Sequence, residues 1–470
     1  MKKNKFLLTI LTLLMAVCSY SQLRLPAILS SGMVLQQNDS VSLWGWAGPS
    51  ETVKVTTSWN QKTYQARATD MATWKLKVAT PSAGGPYTIS IESRNKVVLS
   101  DILIGEVWVC SGQSNMEWSF YNGVKDIKDE LPTALNPNIR FFHVPKTASY
   151  TPQDDVKAQW TICDSNTIKG FSAVGYFFGK KLQKDLNVPI GLVNASWGGT
   201  PAETWTPMEL VQMDIPLKQA ASQLNKVDWW PTGSGQAFNA MIYPLTNYTI
   251  AGAIWYQGES NTNTNSTYKQ LFTTMIDSWR DSWHKQFPFY YVQIAPFTYG
   301  NKNVGALLQE QQTLTMSHPN TGMVVITDLI DSVSNIHPSR KKPVGERLAN
   351  WALAETYKKT GIAYKSPQYA SMQVLKEKIS LQISNAPNGL VSTGKSISGF
   401  FIAGADQVWV AADAKIENDK IIVSSKQVKE PVAVRYGFGN TIIGNIASKE
   451  GLPLCPFRTD SWVVDQSAGN

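Results

Sequence analysis

The chain has 470 residues, 43% of them hydrophobic and 17% charged, with a formal net charge of +8. That length exceeds what one hydrophobic core organises and points to two or three domains, while the composition is that of an ordinary globular chain and excludes a disordered or fibrous one. Basic residues are scattered rather than clustered, so the surplus reads as solubilising charge that could at most favour an anionic substrate, and nucleic-acid binding is not expected.

Lys2, Lys3 and Lys5 precede an apolar run from Phe6 to Val17 and the small-residue stretch Ser19-Tyr20-Ser21. This is the layout of a secretory signal over residues 1–21, with cleavage expected before Gln22 and a secreted or periplasmic product. The run is too short to span a bilayer, so no stable membrane insertion is expected after cleavage. Cys18 offers a lipid-anchored alternative, disfavoured because Val17 stands where a small residue usually precedes the modified cysteine. Losing three lysines and no acids leaves a charge of +5 (8 − 3). The remaining Cys110, Cys163 and Cys455 are odd in number and lack CxxC spacing, which indicates neither a zinc site nor a disulfide framework.

From residue 22 to about 103, period-two runs at Thr52–Val55, Trp74–Val78 and Tyr87–Ile91 between Gly and Pro turns predict an N-terminal β-sandwich. From about 104 to 365 the character changes. Continuous apolar runs at Glu106–Cys110, Ile190–Asn194, Ala251–Tyr256, Phe289–Ile294 and Met323–Thr327 suit strands buried on both faces of a parallel sheet. Between them Val174, Phe178 and Leu182, and again Tyr268, Leu271, Phe272, Met275, Ile276, Trp279 and Trp283, recur at helical spacing, so an α/β layered domain follows. From 366 to 470 alternation returns at Lys378–Ser384, Gln407–Val410, Lys420–Ser424 and Pro431–Tyr436, predicting a C-terminal β-rich module.

Open parallel sheets bind ligands beyond the carboxyl ends of their strands. Four apolar runs end there in polar clusters: Ser111-Gly112-Gln113-Ser114-Asn115, the stretch Asn194–Thr200, Gln257–Asn261, and Thr327-Asp328 leading through Asp331 to Ile336-His337-Pro338. A serine attacks a carbonyl only if a base takes its proton, and of the four histidines only His337 follows an expected core strand. His143, His284 and His318 read as structural or surface residues. Ser114 is not in a GxSxG setting, so no nucleophile elbow is inferred. Oxyanion donors are sought at Gly198 and Gly199, where backbone can approach closely, and at the amides of Gln257 or Asn261.

The segments GQSN at Gly112–Asn115, NASWGGTPAETW at Asn194–Trp205, IWYQGESN at Ile254–Asn261 and IHP at Ile336–Pro338 resemble the sialate O-acetylesterases, a family of SGNH-type hydrolases. The likeness runs over nearly the whole mature chain. It implies a flavodoxin-like three-layer α/β/α hydrolase domain flanked by β domains, with Ser114 as nucleophile and His337 as general base. It further implies an oxyanion hole from the Ser114 amide, a glycine of the Gly198-Gly199 pair and the Gln257 or Asn261 amide. Gln113, Asn115, Trp197 and Glu259 would contact substrate or brace the site, Glu259 chiefly as scaffold. Related hydrolases place an aspartate three residues before the histidine, but Ser334 stands there. A main-chain carbonyl near Asn335 is therefore expected to orient the imidazole, with Asp331, or more remotely Asp328, as the alternative.

The resemblance implies an O-acetyl carbohydrate substrate, with acetylated sialic acids ahead of acetylated plant glycans such as xylan, and an acetyl-enzyme intermediate; no feature of the sequence demands a metal or organic cofactor. Arg340, Lys341 and Lys342 read either as cations facing the crevice or as a solvated helix start. Two rival functions are weighed. Glu106, Glu117, Glu203 and Glu259 could supply the carboxylate pair of a glycoside hydrolase, although the serine and histidine clusters would then lack a purpose. Seventeen tryptophans could mark a non-catalytic carbohydrate-binding protein, although most tryptophans are core residues. Arg458 and Asp460 read as a structural ion pair. Oligomeric state is not legible.

Overall fold

The structure, a computed structural model, describes residues 22–417 and 420–469; the expected signal and Cys18 lie outside the described residues. In the N-terminal region β1 (Val34–Gln36), β2 (Ser40–Trp46), β3 (Thr52–Thr57), β4 (Thr63–Arg67), β5 (Thr73–Ala79) and β6 (Gly84–Glu92) form. Burial in β3 alternates residue by residue, as its period-two sequence requires. β3 pairs antiparallel with β4 and β6, and β2 with β5. Val41 and Leu43 of one group meet Val53, Val55, Ile89 and Ile91 of the other in a shared core.

β7 (Lys96–Gly112) belongs to two sheets. Its first part pairs antiparallel with β6, whereas every residue from Ile102 to Gly112 is buried, and that part runs through the centre of a parallel sheet. The expected division at 103/104 thus falls inside one strand, with no linker between the two regions. The other strands of the central sheet are β8 (Asn136–His143), β9 (Trp160–Cys163), β10 (Ile190–Ser196), β11 (Gly252–Tyr256), β12 (Phe289–Val292) and β13 (Thr321–Val324). The order is β13-β12-β11-β7-β10-β8-β9, parallel except at β9. β8 and β9 were not among the five expected runs, because polar residues interrupt them.

Five helices position the site or cover the sheet: α1 (Ser114–Glu117), α2 (Ala173–Leu186), α3 (Tyr268–Trp283), α4 (Val304–Thr315) and α5 (Lys341–Trp351). Successive side chains of a strand face opposite ways. Val109, Trp255 and Phe289 accordingly pack with Leu271, Phe272, Met275 and Trp279 of α3. Trp108, Cys110 and Ile254 pack on the other face with Val174, Phe178 and Leu182 of α2 and Val344 and Leu348 of α5.

Beyond residue 366 two four-stranded antiparallel sheets share a core of Ile379, Leu381, Phe400, Ile402, Ile421 and Val434. The expected strand at Gln407–Val410 is reduced to Val410–Ala411, since Gln407 takes a left-handed φ of 62° in a turn. Arg458 and Asp460 approach to 3.6 Å, but the closer pairs are elsewhere. Arg458 forks onto Glu310 of α4 at 2.7 and 3.0 Å, and Arg435 forks onto Asp460 at 2.9 and 2.8 Å, which fastens this region to the helical layer. The whole is a mixed α/β fold with a large central sheet and additional β-rich sheets. No helix among the described residues is long and apolar enough to cross a membrane.

Candidate active site

β10 lies on one side of β7 and β11 on the other, so the direction of strand addition reverses at β7. This is the point at which open α/β sheets form a ligand crevice. Gly112 ends β7 with a φ of +132°, and a Cβ there would stand 2.2 Å from the Tyr256 carbonyl oxygen, so only glycine lets the chain turn into α1. Ser114 is the first residue of that helix.

His337 arrives from the loop between β13 and α5. Its Nε2 lies 2.8 Å from Ser114 Oγ, across 223 residues of chain. The imidazole stacks on Trp118, with centroids 3.9 Å apart and planes 21° from parallel. Trp118 follows Ser114 by one helical turn and donates its N–H to the Ser114 carbonyl at 2.8 Å, so hydroxyl and stacking platform share one face. Burial, reinforced by the Lys341 cation, pushes the imidazole down to about 4. The ring is therefore neutral at pH 7 and its Nε2 can accept a proton.

Neither expected partner reaches the other side of this ring. Asp331 Oδ2 accepts the Ser339 N–H at 2.8 Å, because the intervening turn aims the carboxylate at its own backbone. Asp328 forks onto Arg347 at 2.7 and 2.6 Å. Asn335 uses its side-chain oxygen on the main-chain N–H of His337 at 3.0 Å. Among the described residues nothing hydrogen-bonds His337 Nδ1, neither an aspartate nor a carbonyl near Asn335. Stacking and the Ser114 contact hold the ring instead.

Gly198 lies against the serine: a Cβ built on it would stand 3.3 Å from Ser114 Cβ. Its N–H donates to Glu117 Oε2 at 2.5 Å, and the other Glu117 oxygen pairs with Lys146. Gly199 has φ +80°, and the Trp230 indole fills the space its Cβ would need. The amides of Ser114 and Gly199 meet no acceptor among the described residues. The amides expected from the third segment are committed elsewhere. Gln257 Nε2 donates to Thr200 O at 3.3 Å and Asn261 Oδ1 at 2.8 Å, while Asn261 Nδ2 donates to Glu203 Oε2 at 2.8 Å and Thr264 Oγ1 at 3.3 Å. Both side chains are buried, and neither presents a free donor to Ser114. Gln113 Oε1 accepts the Gly258 and Ser260 N–H groups at 3.3 and 3.4 Å, tying the β7 and β11 loops together.

Behind the serine, Asn115 joins three segments. Its Nδ2 donates to Glu259 Oε1 at 2.7 Å and to the Ile336 carbonyl at 3.0 Å, and its Oδ1 accepts Lys341 Nζ at 2.6 Å. Ile336 precedes His337, so this amide holds the histidine loop to the serine turn. Of the three cations after the His-Pro turn, Arg340 and Lys342 are exposed, but Lys341 is fully buried, with its ammonium 5.2 Å from the Tyr256 ring centroid. Neither sequence reading of Lys341 anticipated this. Trp118 and Glu117 were also missed as neighbours of the imidazole and of the Gly198 amide. Their one signal was α-helical spacing from Ser114, in a helix too short to show periodicity.

Of the four glutamates weighed for glycoside hydrolysis, one lies away from the site and the other three are bonded to its scaffold. Glu106 pairs in register with Ile190, the first residue of β10, so it sits at the opposite end of the sheet from Ser114. Glu203 is held by Asn261, Glu259 by Asn115 and Glu117 by Lys146 and Gly198. His318 pairs with Asp277 at 2.8 Å, His284 caps α3 and His143 ends β8. Among the described residues no group of three or more His, Cys, Asp or Glu side chains is arranged to hold a metal. Cys110, Cys163 and Cys455 are free and buried.

A family profile described as carbohydrate esterase, sialic acid-specific acetylesterase, matches residues 104–354. The human sialate O-acetylesterase is 31% identical over 396 residues, which span 76% of this chain and 75% of that protein. The mouse sialate O-acetylesterase is 30% identical over 428 residues, covering 77% of each chain. A crystal structure of a carbohydrate acetylesterase from Xanthomonas citri superimposes with a TM-score of 0.85 at 34% identity, covering 94% of this chain and 100% of that one.

Proposed function

This chain belongs to the sialic acid-specific acetylesterase family of carbohydrate esterases, and from that premise we propose that Ser114 is its nucleophile and His337 its general base. One observation carries the assignment: the 2.8 Å contact between His337 Nε2 and Ser114 Oγ. In the reaction Ser114 Oγ adds to the acetyl carbonyl as its proton passes to Nε2. The amides of Ser114 and of the Gly198-Gly199 strip stabilise the oxyanion, with Gly199 and Ser114 as the donors free of other partners. The C–O bond to the sugar breaks, and His337 returns the proton to the departing hydroxyl. Water, deprotonated by the same imidazole, then releases acetate from the acetyl-serine. His337 works as one of a dyad on its Trp118 platform, without a carboxylate on Nδ1.

O-acetylated sialic acids are the substrate assigned here, on the strength of the family. Acetylated plant glycans such as xylan are the second reading, compatible with a relative from Xanthomonas citri that is described as a carbohydrate acetylesterase without a named sugar. The helices on both faces of the parallel sheet support a flavodoxin-like α/β/α SGNH unit over 104–365. It lies between an N-terminal sandwich (22–103) that shares β7 with it and a C-terminal β-rich module (366–470). The basic, apolar and small-residue succession in residues 1–21 supports export.

Acetate release from O-acetylated sialic acid tests the function. Ser114→Ala should lose about 10³-fold or more in kcat, and a serine-directed phosphonate should label Ser114 in the parent protein. Sugar release without acetate would establish a glycosidase instead, and glycan binding with no hydrolysis of any acetyl ester a binding protein.

A further inference from the structure

An acetyl group is small, so most of what a carbohydrate esterase must hold is the sugar that carries it. Next to Trp197, which leads into the Gly198-Gly199 pair, a groove of about 910 Å³ opens, with Tyr150, Trp197, Gln212, Lys218, Asp228 and Trp230 among its walls. It adjoins the proposed oxyanion strip: Gly198 touches Ser114, Gly199 packs against the Trp230 indole, and Trp197 precedes both. Trp197 Nε1 donates to the Trp229 carbonyl at 3.3 Å, which seats residues 229–230 over the strip. The Trp229 and Trp230 rings cross edge to face with centroids 5.8 Å apart. Of the groove's walls Tyr150 is 74% exposed, so its ring face is open to a ligand.

The groove is near the upper end of small-ligand pocket sizes, far beyond what acetyl needs. Flat rings alternating with polar side chains match the two sides of a pyranose, whose C–H face stacks on an aromatic ring while its hydroxyls take hydrogen bonds. Lys218 forms no ion pair among the described residues, which leaves its ammonium free to donate to such hydroxyls.

We propose that this groove is an oligosaccharide subsite that holds the sugar rings adjoining the acetylated one. The preferred substrate is then an acetylated residue within a glycan chain rather than a free acetylated monosaccharide. The inference rests on Ser114 being the attacking group, since that fixes where the acetylated residue lies.

Two measurements test it. In the first, kcat/KM is compared for O-acetylated sialyllactose against O-acetylated sialic acid methyl glycoside, and for acetylated xylotetraose against an acetylated methyl xyloside. In at least one pair the oligosaccharide should be favoured by about tenfold, the return on one well-stacked ring. Tyr150→Ala and Lys218→Ala should each shrink that ratio through KM. No preference in either pair, or one that survives both substitutions, overturns the subsite; which pair shows it separates acidic from neutral chains. In the second, calorimetric titration of Ser114→Ala with sialyllactose and xylotetraose, both lacking acetyl groups, should show binding that Tyr150→Ala weakens. Failure of both sugars to bind would refute the subsite even with esterase activity intact, whereas binding without hydrolysis in the parent protein would instead sink the assignment of Ser114.

Discussion

The two ends of the parallel sheet each bury a glutamate, and they treat it oppositely. At the amino end both Glu106 oxygens are bonded: Gln36 Nε2 and the Tyr357 hydroxyl donate to one, each at 2.8 Å, and Gln37 Nε2 to the other at 2.7 Å. At the carboxyl end Glu259 takes one bond from Asn115, and its Oε2 is buried with no partner among the described residues. Burial pushes the Glu259 carboxyl up to about 7 and the nearby Lys341 ammonium down to about 7, each toward its neutral form. Buried polar groups left short of partners cost stability and are kept where a site needs them, whereas complete satisfaction is the mark of scaffold.

If that contrast is right, damage at the two ends separates activity from stability. His337→Ala should cost about 10³-fold or more in kcat, read by acetate release, with its melting curve little changed. Glu106→Ala should do the reverse, because it strands three donors: about 3 kcal/mol of stability lost in urea unfolding, with near-parental kcat for the folded fraction. A Glu106→Ala protein that stays fully stable would dissolve the distinction.

Smaller effects sharpen it. Trp118→Ala removes the platform that fixes the imidazole, and a fall of about 10- to 100-fold in kcat, with KM little moved, is expected. The acid limb of kcat/KM should lie near pH 4, since a base works only when unprotonated and the free-enzyme profile reports its pKa. Lys341→Met deletes a cation that opposes imidazolium formation, so His337 should titrate higher and the limb should move up, toward the ordinary 6.5. A limb that stays put would mean burial alone sets it. Smallest of all, Asp331→Ala should lower acetate release by less than about threefold, as its carboxylate serves Ser339 rather than the imidazole. A loss as large as that of His337→Ala would restore Asp331 to the catalytic group.

Local pattern was enough to read the α/β class, the five apolar strands and the two long amphipathic helices, because alternation and helical spacing are properties of neighbouring residues. The same holds for the segments around Ser114, Gly198, Gln257 and His337, which stood out as polar clusters at strand ends. β8 and β9 escaped because polar residues interrupt their apolar stretches, and the division at 103/104 could not reveal that β7 runs unbroken through two sheets.

What only the tertiary structure decided is how the donors and charges pair. Gln257 and Asn261 turned out to bond each other and the scaffold, Asp331 its own turn, and Lys341 the Asn115 amide inside the protein. Each of these outcomes depends on which of several possible partners, near or far in the chain, lies within about 3 Å in the right direction. Side-chain type limits what a residue can donate or accept, but direction and burial are set by the packing of whole elements, which no local stretch of sequence contains.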